Sequence, residues 1–92
     1  MFIEVKNLNG TTDNTPPSQY SSWQEWWEKQ KNREFLFCSC TGCFNFAEVG
    51  AHVKKINDGN EWYIVPLCKE CNAKTDNFYV SKNNLAKINS SN

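Results

Sequence analysis

The sequence predicts a small α+β domain that folds around a bound metal ion. The chain has 92 residues, and its five cysteines include two Cys-x-x-Cys pairs that can supply four ligands to one ion. Apolar residues make up 39% of the chain and aromatic residues 14%, so a few large rings must form much of the core. A structural metal ion commonly supplies stability that a core of this size lacks.

The charge balance gives no general preference for a polyanionic partner. Ten Lys and Arg residues cancel ten Asp and Glu residues, which argues against tight nonspecific binding to nucleic acid or to an anionic membrane. The C-terminal half is mildly basic, because residues 50–92 hold six basic residues and four acidic ones.

The sequence shows neither a secretory signal nor a membrane span. Its first residues contain no basic segment that leads into an apolar run. No stretch reaches the ~20 apolar residues of a transmembrane helix. We therefore expect a cytoplasmic protein without membrane association, in which an odd number of cysteines favours metal ligation over disulfides.

Residues 1–17 are predicted to form a strand and a loop. Residues 2–5 loosely alternate apolar and polar side chains, as a short edge strand does. Asn9-Gly10 marks a turn, and the polar stretch that follows contains Pro16-Pro17. This region connects to a helix.

Residues 18–34 are predicted to contain an aromatic helix of roughly 12–15 residues. Ser18, Ser21 and Ser22 are its candidate N-caps. One helical face carries the aromatic stripe, which consists of Tyr20, Trp23 and Trp27 with Trp26 beside them. We expect this stripe to pack on the core, and the alternative is that it stacks nucleic-acid bases.

Residues 38–43 offer three thiols for two ligand positions. Cys40 and Cys43 have the Cys-x-x-Cys spacing of a metal knuckle, and Gly42 can adopt the positive φ that such turns need. Cys38 is then a core thiol or an alternate ligand. Cys68 and Cys71 supply the other two ligands from the first turn of a short helix, where positions i and i+3 share a face.

The segment between the two cysteine pairs is predicted to be a β-hairpin. Residues 46–53 form its first arm and residues 61–65 its second, joined by a turn at residues 57–60. Pro66 is expected to end the second arm. Residues 35–37 are a further short strand before the knuckle.

Knuckle, hairpin and helix occur in the order of a treble-clef zinc finger, which we place at residues 38–80. The aromatic helix buttresses this core, and residues 78–80 return to it. Residues 81–92 are a C-terminal tail, in which Ser81 caps a last helical turn with Leu85 and Ile88 on one side. The whole chain, residues 1–92, is thus predicted to be a single domain.

Residues 38–75 resemble the zinc-stapled branch of the HNH endonuclease superfamily, which has a ββα-metal core. The resemblance implies that Cys40, Cys43, Cys68 and Cys71 hold a structural zinc ion. It places His52 where the family has its general base. It places Asn72 where the family has a residue that helps to bind a catalytic Mg²⁺ or Mn²⁺.

One position departs from the HNH pattern. The family commonly has an acidic cation ligand directly before the base histidine, and this chain has Ala51 there. A hard divalent cation favours several oxygen ligands, often with a carboxylate among them. Glu48 and Asp76 are the candidates for a replacement carboxylate.

Two functions follow from this pattern. The first is a zinc-stabilised, HNH-like binding module that contacts DNA, RNA or a protein without efficient catalysis. Trp62 and Tyr63 are candidate stacking surfaces or hairpin packing residues. The second is a metal-dependent endonuclease with His52 as general base. The candidate phosphate contacts of the module are Lys54, Lys55, Lys69 and Lys74.

Overall fold

A computed structural model describes residues 1–8, 15–57 and 60–88 of the chain. These residues form an antiparallel sheet of five strands in the order β4-β1-β2-β3-β5, with two short α-helices. The strands are β1 (Phe2–Asn7), β2 (Val49–Lys55), β3 (Tyr63–Leu67), β4 (Phe78–Ser81) and β5 (Ala86–Lys87). The helices are α1 (Trp23–Lys31) and α2 (Lys69–Asn72), and Lys82–Asn84 form a 3-10 turn.

The predicted N-terminal strand is present, but it does not lie at an edge of the sheet. β1 pairs with β2 on one side and with β4 on the other. Val5 and Asn7 are buried and the residue between them is exposed, so Val5 and Asn7 face the same interior. The predicted turn at residues 9 and 10 lies outside the described residues.

The sheet separates two apolar clusters. Alternate residues of β2 and β3, such as Ala51, Val53 and Val65, face a cluster that includes the cysteines. Ile64 faces the other cluster, where α1 places Trp26 and Trp27 with Phe35 and Ala86. Because successive strand residues point to opposite faces, the fold has a cysteine face and a helix face.

Helix α1 is shorter than predicted because both of its ends are capped. Ser22 accepts a hydrogen bond from the Glu25 N–H at 3.1 Å and begins the helix. The Ser21 N–H and hydroxyl donate to the Glu25 carboxylate, and these bonds, with Lys29 nearby, lower the pKa of Glu25. Asn32 takes a left-handed conformation and ends the helix.

The aromatic stripe packs as expected on the core. Trp26 and Trp27 are buried, and the Trp27 indole N–H donates to the Asn84 carbonyl at 2.9 Å. The Arg33 guanidinium lies 5.1 Å from the centre of the Trp27 ring. These contacts attach the helix to the C-terminal part of the chain.

The hairpin is confirmed as the antiparallel pair β2 and β3, although its second arm differs at the end. β3 continues through Pro66 to Leu67, and Gly50 pairs with Pro66. Proline is tolerated here because β5 pairs only with Tyr63 and Ile64. No β5 residue lies beside Pro66 to need the backbone N–H that proline lacks. Residues 58 and 59 of the predicted turn lie outside the described residues.

The C-terminal tail was predicted to be helical, and this prediction is wrong for residues 86 and 87. They form β5, which pairs with β3. Leu85 joins the cysteine face and Ile88 the helix face, whereas a helical turn would put both on one side. Pairing with an open strand overrides a weak local preference.

Candidate metal centre

The first cysteine cluster is a tight reversal of the chain. Phe37 and Phe46 form an isolated antiparallel bridge, and the Cys38 N–H donates to the Asn45 carbonyl at 2.9 Å. At the tip, the Cys43 N–H donates to the Cys40 carbonyl at 3.0 Å. Gly42 has φ of 85°, a conformation that favours glycine. Residues 37–46 are called the knuckle below.

The second cysteine pair lies at the start of α2. Cys68 is the N-cap, and the Asn72 N–H donates to its carbonyl at 3.0 Å, which closes the helical turn. Cys71 follows within that turn. The Glu48 carboxylate accepts the Lys69 N–H at 3.1 Å. A helix of four residues cannot stabilise itself, so its position depends on tertiary contacts.

Four thiols meet between the knuckle and α2. The Sγ atoms of Cys38, Cys43, Cys68 and Cys71 all lie within 4.8 Å of one another. The Sγ atoms of Cys43 and Cys68 are 3.8 Å apart, and all five cysteines are free thiols. Tetrahedral ligation with Zn–S bonds of ~2.3 Å requires sulfurs about 3.8 Å apart. The four cysteines are therefore positioned to hold one metal ion.

The structure brings together three of the four predicted ligands and replaces the remaining one. Cys38, which the sequence allowed as an alternate ligand, belongs to the cluster of four thiols, and Cys40 does not. The backbone of Cys40 pairs with Val80, and its carbonyl begins the knuckle turn. Cys38 and Cys43 are separated by four residues, which structural zinc sites also use.

Burial and neighbouring groups shift the pKa values of three of these thiols. Burial raises the pKa of the Cys38 thiol to about 11. Burial and the neighbouring Cys68 thiol also raise the pKa of Cys71. Burial acts in the same direction at Cys68, but the Cys71 N–H and the Asn45 amide outweigh it and lower the pKa to about 7. Four crowded thiolates need a dication to balance their charge, so the donor set fits zinc.

Two asparagines that carry no metal-site signal in the sequence support the centre. The Asn45 side-chain amide donates to the Cys68 Sγ at 3.7 Å and to Glu70 at 3.4 Å. The Asn7 amide is buried and donates to the carbonyls of Cys71 and Lys74, each at 3.0 Å. The position of Asn45 between two phenylalanines hinted at a polar contact, but nothing local connects Asn7 to residues more than 60 positions later.

His52 lies on the helix face, away from the cysteines. Its ring makes edge contacts with Trp23 at 5.0 Å and Trp62 at 6.1 Å between centroids. The imidazole is buried, its Nε2 has no hydrogen-bond partner among the described residues, and burial lowers its pKa. The ring therefore packs against two indole side chains on the helix face.

His52 and the helix that carries Asn72 lie on different sides of the sheet. Ala51 packs on the cysteine face, so its neighbour His52 faces the other way. Asn72 belongs to α2, which contributes Cys71 to the cysteine face. His52 and the helix that carries Asn72 are thus separated by the sheet.

The four predicted phosphate-contacting lysines do not form one patch. Lys54 and Lys55 are consecutive in β2 and point to opposite faces. The Lys55 ammonium lies 5.0 Å from the centre of the buried Tyr63 ring. Lys69 is in α2, and Lys74 follows that helix. Tyr63 is part of the core, and Trp62 contacts His52, so both pack within the domain.

No helix in the described part of the chain is long and apolar enough to cross a membrane. Comparison with protein-family models gives no match, and neither curated proteins nor solved structures show a significant similarity to this chain. The metal centre is therefore assigned from the chemistry and geometry of its own residues.

Proposed function

We propose that this protein is a small binding module whose fold is held by one structural zinc ion. The convergence of four thiols within 4.8 Å carries this proposal. A tetrahedral set of four sulfurs is typical of zinc or of an iron–sulfur site. All four positions are filled by protein ligands, which leaves none open for a substrate or an activated water. The ion is a structural element.

The module acts by presenting a surface to a nucleic acid or to a protein, as HNH-like treble-clef domains without catalysis would. The order of knuckle, hairpin and short helix supports this comparison. The endonuclease alternative gains no support, because it needs His52 and Asn72 in one open site, whereas His52 packs on the face of the sheet opposite the cysteine cluster to which α2 contributes Cys71.

The cysteine assignment gives the test of the metal centre. We expect purified protein to contain about one zinc ion per chain, and its cobalt-substituted form to show the absorption of tetrahedral thiolate ligation. Cys38→Ser should lose the ion or bind it far more weakly, because a ligand is removed. Cys40→Ser is the matched control and should keep both the ion and the cobalt spectrum.

The opposite result would contradict this ligand set. If Cys40→Ser released the ion and Cys38→Ser retained it, the ligands would be those of the Cys-x-x-Cys spacing. Protein without zinc that carries iron and acid-labile sulfide would show an iron–sulfur site instead.

A further inference from the structure

The knuckle exposes three phenylalanine side chains on its outer surface. Phe37 is 57% exposed, Phe44 89% and Phe46 66%. The rings of Phe37 and Phe46 stack at 5.6 Å with an angle of 11° between their planes. These three side chains are called the knuckle patch. Grouped apolar side chains in contact with solvent commonly mark an interaction site.

The backbone holds the knuckle patch outward. Asn45 lies between Phe44 and Phe46, and its side-chain amide donates to the Cys68 Sγ, which ties this part of the knuckle to α2. The Phe44 and Phe46 side chains on either side of it are exposed. The bridge between Phe37 and Phe46 and the hydrogen bond from Cys38 to Asn45 fix the same orientation. A surface that is already ordered loses little conformational freedom when a partner binds.

Two carboxylates lie close to the patch. The Glu70 carboxylate accepts a hydrogen bond from the Asn45 side-chain amide, and Asn45 lies between Phe44 and Phe46. Glu48 follows Phe46 by two residues, and its carboxylate accepts the Lys69 N–H. These three charged residues, Glu48, Lys69 and Glu70, are called the border of the patch, and together they have a net negative charge.

This border distinguishes among partners. An isologous contact between two copies would bring the same carboxylates together, and like charges in proximity are unfavourable. Nucleic-acid phosphates and an anionic lipid surface meet the same repulsion. A basic polypeptide segment can pack its apolar side chains on the rings and place its Lys or Arg side chains beside the carboxylates.

We propose that the knuckle patch binds a protein segment whose apolar side chains are flanked by Lys or Arg. This inference rests on the proposed function, because the zinc centre orders the knuckle. Aromatic anchors at the centre of an interface usually carry most of the binding energy, and the acidic border selects for the basic flanks.

The test is selection from a displayed library of random peptides against the zinc-loaded full chain. Selected sequences should combine aromatic or aliphatic residues with Lys or Arg, and their affinity should fall as salt rises. Phe44→Ser with Phe46→Ser should weaken a selected synthetic peptide by about tenfold or more, because two anchors are lost. Glu70→Lys should weaken it as well.

Phe2→Ser with Tyr79→Ser is the matched control. It removes exposed aromatic side chains from β1 and β4 and should leave peptide binding unchanged. Zinc content is measured for every variant. A zinc-loaded Phe44→Ser/Phe46→Ser protein that binds the peptide as well as wild type would refute the patch alone, while a wild-type chain without metal would refute the zinc module itself.

Five other outcomes would overturn the proposed partner. The selection could yield no peptides, or it could yield acidic ones. The patch could instead be required for dimerisation in sedimentation velocity, for binding to phosphatidylcholine/phosphatidylserine vesicles, or for binding to an oligothymidylate. Each assigns the surface to a different occupant or to none.

Discussion

The buried imidazole of His52 leaves one polar atom without a partner in the described structure. An unsatisfied buried polar atom costs about 1–3 kcal/mol, and the ring's compensation is its contact with the indoles of Trp23 and Trp62. At the scale of the residue, His52 is a packing residue whose unsatisfied Nε2 lowers the free energy of unfolding.

His52→Leu should either raise the free energy of unfolding or leave it within ~1 kcal/mol of the wild-type value. The substitution removes the unsatisfied Nε2, and an apolar side chain still fills the space. His52→Gln is the control, since it keeps buried polar atoms, and it should be the less stable of the two. Urea unfolding near neutral pH compares them. A large loss of stability in the leucine variant would indicate a hydrogen bond that this packing does not contain.

The same residue gives a pH dependence with a defined sign. Burial lowers the pKa of folded His52 below its ordinary value of 6.5, so the unfolded chain takes up this proton first as the pH falls. Stability should therefore decrease below about pH 6.5. The loss should be smaller in His52→Leu, and equal losses in both proteins would contradict the expected protonation.

The choice of metal ligands shows where residue-level prediction stops. The two pairs correctly predicted a four-cysteine centre, and spacing alone allowed Cys38 as well as Cys40. In the structure Cys38 belongs to the cluster of four thiols, and Cys40, whose backbone pairs with Val80, does not. That pairing joins positions 40 residues apart, and no local pattern reveals it.

At the scale of the element, α1 and the hairpin depend on close contact at Gly50. A Cβ atom at this position would lie 2.8 Å from the Trp23 Cβ and 3.2 Å from the Trp23 carbonyl carbon. Neither atom is the free end of a flexible side chain. The helix can approach β2 this closely only because residue 50 is glycine.

Gly50→Ala should push the start of α1 away from the sheet and lower the free energy of unfolding by ~1–3 kcal/mol, as overpacking does. Lys54→Ala in the same strand is the control and should have a small effect. Urea unfolding measures stability, and tryptophan fluorescence reports the displacement of Trp23. If Gly50→Ala matched Lys54→Ala in both readouts, the close approach would not exist in solution.

Elements with strong local signals could be predicted from sequence. β3 is rich in β-branched and aromatic residues, and α1 has a cap and an aromatic stripe. β5 could not be predicted, since Ala86–Lys87 has little strand preference and gains its conformation by pairing with β3. The central position of β1 has the same kind of cause, because it is set by partners late in the chain.

At the scale of the whole molecule, the metal centre joins parts that have little other support. The knuckle lacks a regular strand, and α2 has four residues. Structural zinc binding supplies roughly 10–16 kcal/mol in small zinc domains, whereas a whole domain is stable by only about 5–15 kcal/mol. The free energy of zinc binding is therefore large enough to decide whether this domain folds.

Removal of the ion with a chelator should unfold the domain or greatly lower its urea midpoint, and added zinc should restore it. Circular dichroism and amide NMR spectra would follow both steps. Cys40→Ser, loaded with zinc, should respond in the same way as wild type. An unchanged urea midpoint after verified metal removal would show that the apolar clusters suffice.

The position of β1 also governs the order in which the protein folds. Phe2 pairs with Ser81, and Val5 pairs with both Phe78 and Lys55. Contacts between residues so far apart in sequence require a large loop to close, which slows folding. During synthesis, β1 can pair with β2 once the hairpin has emerged, but its other edge stays open until β4 follows. That edge is free to pair wrongly until almost all of the sheet has left the ribosome.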